Sequence, residues 1–329
     1  MAAPKSATPT LNARNAAGSD VAPAARVGLL AVRRRRRRYP HALAAYLFLA
    51  PFLVLFVMFL VGPLFYALNL SVWRETLVGG RSFAGLANYA DVFADESFWR
   101  GIRNMLLFGV FQVPIMLGLA LIFALVLDAG TTYAKSLFRI GFFLPYAVPS
   151  VIAALIWGYL YGPSFGPFTQ AANALGWAPP MFLSRTLMLP SLANIVTWEF
   201  TGYNMIILYS ALQAVPKDVI EAAAIDGARP IRVARSIRVP LIAPTIVLTA
   251  IFSVIGTLQL FNEPQLMLAI APDVIGNDYT PNIYAYTTGF VNQQYNYAAA
   301  ISFVLGAFVV IISYAVLFFS NRRQTPAAA

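Results

Sequence analysis

The sequence predicts an all-α integral membrane protein, a bundle of six transmembrane helices, and three observations predict it. Of its 329 residues, 59% are hydrophobic and only 11% are charged. A soluble domain carries about 25% charged residues. The apolar residues fall in long uncharged runs, and a bilayer core needs about 20 of them per helical span. Within the runs apolar residues occur on every side, whereas a membrane strand would alternate apolar and polar over about ten residues.

The chain has no cysteine and a single histidine, His41. Disulfides, thiol nucleophiles and Cys-based metal sites are thereby excluded, and a His-based zinc site almost so. No metal and no cofactor are expected. The net charge of +10 could suggest nucleic acid, but the position of the charges argues for a lipid bilayer instead.

Residues 1–40 read as a disordered basic tail, with Ala, Pro, Ser and Asn and no apolar period. The tail ends in six arginines, Arg33–Arg38, directly before an uncharged stretch from Ala42 to Trp73. A signal peptide has an apolar region of about 7–15 residues. This run is longer and continues through Pro51, Gly62 and Pro63, so it is a retained first span. The arginines could form a nuclear or nucleic-acid patch, but beside a span they are a topology anchor. Five more spans are expected near Asn104–Leu127, Phe138–Tyr161, Leu189–Val215, Val239–Asn262 and Tyr297–Ser320. At a rise of about 1.5 Å per residue each crosses about 30 Å of hydrocarbon with some tilt. The transmembrane domain therefore covers 41–322, and 323–329 is a short tail.

Lysine and arginine counts orient the bundle. With both termini cytoplasmic, the inner segments hold nine in the first tail, Lys135 and Arg139, five in 216–238, and Arg322 and Arg323. The outer segments hold Arg74, Arg81, Arg100, Arg103 and Arg185. The reversed orientation would oppose the positive-inside tendency. Pro51, Pro114, Pro145, Pro149 and Pro244 lie in or beside the spans. Each removes a helix hydrogen bond that neighbouring helices must replace. Alone they indicate ordinary kinking rather than a bundle built to rock.

The segment 215–240 reads as helix, turn, helix. Pro216 suits a first helical position, with Asp218 and Glu221 near the positive end of the helix dipole. Ala222, Ala223 and Ala224 are strong helix formers. Gly227 can end the helix in a left-handed conformation, and Pro230 can open the next. The segment contains Glu221-Ala222-Ala223, three residues, Gly227, nine residues, then Ile237 and Pro240. It resembles the signature of inner-membrane permeases of binding-protein-dependent ABC importers, with Val239 where leucine is usual. Phe143-Leu-Pro-Tyr-Ala-Val-Pro149, Trp157, Leu212-Gln-Ala-Val-Pro216 and Phe261-Asn-Glu-Pro264 are similar to the sugar, MalF-like branch. The similarity covers roughly 44–320. The segment 72–102 is too short for the large periplasmic domain of the maltose permease, and the Arg-rich tail has no counterpart.

The resemblance implies the six-helix type I importer fold, a bacterial cell membrane location and import of a di- or oligosaccharide by alternating access. Polyols and glycerol phosphate remain open. It implies a second permease subunit as hetero-dimer partner, a dimer of ATP-binding cassette ATPases and an extracytoplasmic solute-binding protein. Glu221, Ala222, Ala223, Asp226 and Gly227 then belong to a coupling helix that fits a cleft on the ATPase. Alternatively, Glu221 stabilises its own helix start, worth about 0.3–1 kcal/mol. Arg232, Arg235 and Arg238 are expected to face solvent or lipid phosphates.

Ionisable groups inside a membrane are costly and so are functional candidates. Glu199 stands within the fourth span, and Trp198, Glu199, Tyr203 and Asn204 offer the acceptors and aromatic faces that a sugar needs. The alternative places Glu199 near the outer surface, hydrated or paired with Arg185. Gln259, Asn262 and Glu263, at the outer end of the fifth span, are pore or binding-protein contacts, or equally hydrated loop residues. Trp157, Tyr159 and Tyr161 fit an interfacial aromatic belt. An enzyme is not expected. There is no Gly-x-x-x-x-Gly-Lys-Ser/Thr loop, no His/Cys cluster, and no paired intramembrane carboxylates to suggest proteolysis. The competing reading is an ion-driven secondary transporter, for which inverted repeats are usual and none is evident here.

Overall fold

A computed structural model describes residues 42–76, 79–129 and 134–324. The expected amino-terminal tail with Arg33–Arg38, and residues 325–329, lie outside the described residues. The chain divides into two units, 1–54 and 55–329. The first is described from Ala42 and is helical, with Pro51 inside the helix.

In chain order the elements begin with α1 (Ala42–Phe56), a π-turn at Val57–Val61 and α2 (Gly62–Ser71). A hairpin of β1 (Trp73–Thr76) and β2 (Gly80–Phe83) and a short α3 (Ala87–Ala94) lead to α4 (Glu96–Asp128). Next come α5 (Lys135–Phe143), a 3₁₀ turn at Leu144–Ala147, α6 (Ser150–Leu160), α7 (Pro167–Ala174) and α8 (Met188–Gln213). The segment after α8 holds α9 (Lys217–Ile225), α10 (Pro230–Val233), a π-turn at Ala234–Arg238 and α11 (Val239–Leu241). The chain closes with α12 (Ala243–Leu258), α13 (Asn262–Ile270), α14 (Pro281–Tyr286), a π-turn at Thr287–Val291 and α15 (Tyr295–Gln324).

The mostly helical membrane fold is as the sequence predicts. Four helical stretches among the described residues are long and apolar enough to cross a bilayer: Tyr46–Ser71, Glu96–Asp128, Ala243–Ile270 and Tyr295–Phe318. The expected third span is not one rod. α5 with its 3₁₀ turn and α6 meet at 96°, and counted together they make a fifth crossing. The cause is local: Pro149 lacks an N–H and drives Val148 to the extended region, at φ −80° and ψ 127°. α8 is 26 residues long but is not among the four, because Asn194, Glu199 and Asn204 reduce its apolar character.

The expected fifth span also differs. Helix α12 stops at Leu258, and the chain resumes as α13 only at Asn262. The side chain of Asn282 donates to the carbonyls of Leu258 and Leu260, each at 3.3 Å. The broken backbone is thus satisfied inside the protein, the condition under which a membrane tolerates it.

Helices α4 and α8 pack against each other more extensively than any other pair. Toward one end, Phe108, Met188, Leu192, Ile195 and Met267 form a buried cluster. Toward the other, Ala120, Ala124, Leu127, Met205, Leu208, Leu212 and Ile242 form a second. Gly202 permits the contact of α8 with α5: a Cβ there would lie 1.7 Å from the Phe142 carbonyl oxygen.

The hairpin was not expected from sequence. It pairs Trp73 with Phe83 and Thr76 with Gly80, with Arg81 stacked on the Trp73 ring at 4.8 Å. Asp95 caps α4, accepting from the Ser97 N–H at 2.8 Å. It also accepts from the hydroxyls of Tyr284 and Tyr297. Burial by itself would raise this carboxyl, but the hydrogen bonds from Tyr284, the Ser97 backbone and Tyr297 hold it below its ordinary value.

Candidate functional site

Beside the α4–α8 contact lies a cavity of about 340 Å³. Helix α4 contributes Gln112 and Met116, and α8 contributes Phe200, Tyr203 and Asn204. α12 adds Ser253 and Thr257, the break at 259–261 and the start of α13 add Gln259, Asn262 and Glu263, and α6 adds Ser150. The break matters here, because residues 259–261 leave the helix and, with Asn262 and Glu263, all five consecutive residues line one cavity.

The polar groups of the wall hold one another in place. Gln112 is fully buried; its Nε2 lies 3.3 Å from the Met116 sulfur, and its Oε1 accepts from Thr257 Oγ1 at 3.3 Å. Asn204 donates to the Phe200 carbonyl at 2.9 Å. Asn262 Nδ2 donates to Ser150 Oγ at 2.9 Å. Tyr203 stacks on Tyr146 with ring centroids 4.6 Å apart and planes 19° from parallel. The cavity therefore offers hydroxyls, amides, aromatic faces and one carboxyl, and among the described residues no lysine or arginine lines it.

Of the seven pathway residues expected from sequence, Tyr203, Asn204, Gln259, Asn262 and Glu263 line this one cavity. Trp198 does not; it packs edge-on against Trp157 at 5.8 Å. Glu199 is 2% exposed, and its carboxyl stands beside that of Glu263, which lines the cavity. Glu199 Oε2 is buried with no partner. The expectation that no intramembrane carboxylates are paired is thus corrected: residues 199 and 263 come together because the α12–α13 break turns Glu263 toward α8. Arg185 donates to the Asp273 carbonyl, not to Glu199. Gln112 was missed, although it is the one amide between Met105 and Leu127; attention to ionisable groups alone passed over it.

The second candidate region is exposed. Within α9, Glu221 and Ala222 are exposed and Ala223 is half-buried; Asp226, its C-cap residue, is exposed. Pro216 is the N-cap residue of α9 rather than its first helical residue. Glu221 is then the fifth residue, beyond the first turn where the helix dipole acts. Among the described residues it has no ion pair. Gly227 adopts φ +76°. The N–H of Gly227 reaches the Ala224 carbonyl and that of Ala228 the Ala223 carbonyl, both at 3.0 Å, a Schellman termination. Pro230 opens α10 as expected. Arg232 and Arg235 are exposed, but Arg238 is not: its guanidinium pairs with Asp128 at 2.5 Å.

Residues 100–327 match the model of the binding-protein-dependent transport system inner membrane components. The chain belongs to this family. The permease is 31% identical to the lactose transport system permease protein of Rhizobium radiobacter, over 85% of this chain and 94% of that one. It is also 31% identical to the sn-glycerol-3-phosphate transport system permease protein of Agrobacterium fabrum, over 84% and 94%. A crystal structure of a bacterial ABC transporter that imports the acidic polysaccharide alginate shares the fold. The TM-score is 0.72 at 19% identity, covering 87% of this permease and 96% of that chain. The permease is therefore a multi-pass membrane subunit of an ABC importer, a transport component rather than an enzyme.

Proposed function

We propose that the permease forms half of the translocation pathway of an ATP-driven importer for an uncharged di- or oligosaccharide in a bacterial cell membrane. A second permease completes the pathway, two ATPase subunits dock from the cytoplasm, and an extracytoplasmic binding protein delivers the sugar. The observation that carries the substrate class is the cavity wall. Its hydroxyls and amides can donate to and accept from sugar hydroxyls, and Tyr203 and Phe200 present ring faces. Phosphate recognition relies on charge-assisted bonds from arginine or lysine. A wall with no cation and with Glu263 disfavours glycerol phosphate, despite the relative named for it.

In operation, the segment 215–240 sits on the ATPase. Glu221, too far along α9 to serve its own helix start, pairs with a basic group there, while Ala222 and Ala223 allow close approach and Gly227 fixes the turn. Closure of the ATPases on ATP moves the segment and alternately opens the cavity to either side. Both termini are cytoplasmic in this reading. The test is a pull-down of the permease from its native membrane in mild detergent, wild type against Glu221→Lys. The wild type is expected to bring an ATPase and a second permease, and the exposed substitution to lose the ATPase while the permease pair persists. A wild type that captures no ATPase defeats the reading.

A further inference from the structure

We infer that Asp128, Arg238 and Gln213 form a tie that carries the movement of the segment 215–240 into the two helices walling the cavity. The inference rests on the coupling role proposed above for that segment. Three chain ends converge on one carboxylate. Asp128 is the last residue of α4, Gln213 the last of α8, and Arg238 the last of the π-turn that ends the arginine-rich half of the segment. Arg238 Nη1 donates to Asp128 Oδ2 at 2.5 Å, and Gln213 Nε2 donates to Asp128 Oδ1 at 2.5 Å.

The location is unusual for an acidic side chain. The last turn of a helix carries partial negative charge, and a carboxylate there is unfavourable. Here the guanidinium and the amide offset it. The pair is also sheltered: the Arg238 and Asp128 side chains are 18% and 8% exposed. In the Arg74–Asp91 and Arg100–Asp278 pairs the arginines are 41% and 53% exposed. Beside it lie Leu127, Leu212 and Ile242, all in one buried cluster. Removing one partner of such a pair strands the other charge, so the contact holds while the segment moves. A surface pair would exchange freely with water.

What the tie holds is functionally placed. Gln112 and Met116 lie on α4 and Tyr203 and Asn204 on α8. Asp128 is 16 residues beyond Gln112, about 24 Å along a rigid helix. A displacement of Arg238 therefore reaches both helices at their ends and the cavity through their length. Asp128 and Arg238 do not line the cavity and are turned inward against each other; they are positioning residues.

The test uses the absence of native cysteine. Ser253→Cys places a thiol on the cavity wall, and its modification by a water-soluble maleimide is timed in the assembled complex with and without ATP and vanadate. With the tie intact, ATP changes the labelling rate. Asp128→Asn or Arg238→Gln is expected to shrink that change about tenfold, the scale of one lost charge-assisted hydrogen bond. ATPase capture and hydrolysis should persist. The exchanged pair Asp128→Arg with Arg238→Asp should restore the change. If that pair does not assemble, Asp128→Glu, which keeps the charge, should retain most of it. A full ATP-dependent change in either single variant overturns the tie. So does an assembled exchanged pair, or Asp128→Glu, behaving like Asp128→Asn. Failure of wild type to capture an ATPase is the separate failure of the coupling reading.

Discussion

Glu199 and Glu263 stand 64 positions apart in the sequence, and the fold brings their buried carboxyls side by side. Glu263 lines the cavity and Glu199 holds it from behind, so the two residues differ in what their removal does. Glu199→Ala leaves Glu263 buried without that partner and free to swing or to draw in water. Its uptake in whole cells is expected to fall about tenfold, the scale of leaving one buried polar group unsatisfied, with ATPase capture unchanged. Glu199→Gln can still donate an amide N–H to Glu263 and should lose less. Uptake equal to wild type in both variants would make Glu199 a packing residue. The sequence exposed Glu199 because a carboxyl in a membrane span is costly wherever it faces. Its partner was hidden, since Glu263 at a helix end reads equally as a hydrated loop residue. Which way it faces depends on the break at 259–261.

At the level of elements, the agreement between sequence and structure follows one rule. Where a span is a single uninterrupted helix, as in α4, α8 and α15, apolar run length locates it to within several residues. Where the backbone leaves the helix, the sequence misleads in two ways: at Val148 the apolar run continues straight through and hides the break, and at 259–263 Gln259, Asn262 and Glu263 read as the end of a span, hiding the resumption as α13. Proline made the first break visible in principle, but Pro114 sits within α4 without ending it, so proline alone does not decide. Tertiary contact does, and Gly202 shows how. A Cβ at 202 would meet the Phe142 carbonyl oxygen at 1.7 Å and its carbon at 2.4 Å. Both are backbone atoms, so no rotamer change relieves the clash. Gly202→Ala must push α5 away from α8 and is expected to cost about 1–3 kcal/mol, the usual range for overpacking. A melting temperature in mild detergent that does not move would show that α5 is not seated on α8. Gly227→Ala is the contrasting case, with open space around it but φ +76°.

For the molecule as a whole, the number of crossings decides which side each end occupies. Four helical stretches among the described residues are long and apolar enough to cross, and the bent pair α5–α6, counted as one span, makes a fifth. We propose α8 as the sixth: its polar residues lower its apolar count because they are the ones buried or turned to the cavity. A helix that walls a pathway is less apolar than one that only faces lipid. In the orientation proposed above, a crossing α8 puts residues 161–187 and the segment 215–240 on opposite sides, and the five basic residues of 216–238 join Lys135 and Arg139 inside, as the charge bias predicts. The native chain has no cysteine, so single cysteines report cleanly. Trp177→Cys and Asp218→Cys, both at exposed positions, are expected to react with a membrane-impermeant maleimide from opposite faces. Position 177 should be labelled in right-side-out vesicles and 218 in inverted ones. Labelling of both from one face would remove α8 from the spanning set. An odd number of crossings would then separate the two termini, and the segment 215–240 would have no cytoplasmic ATPase within reach.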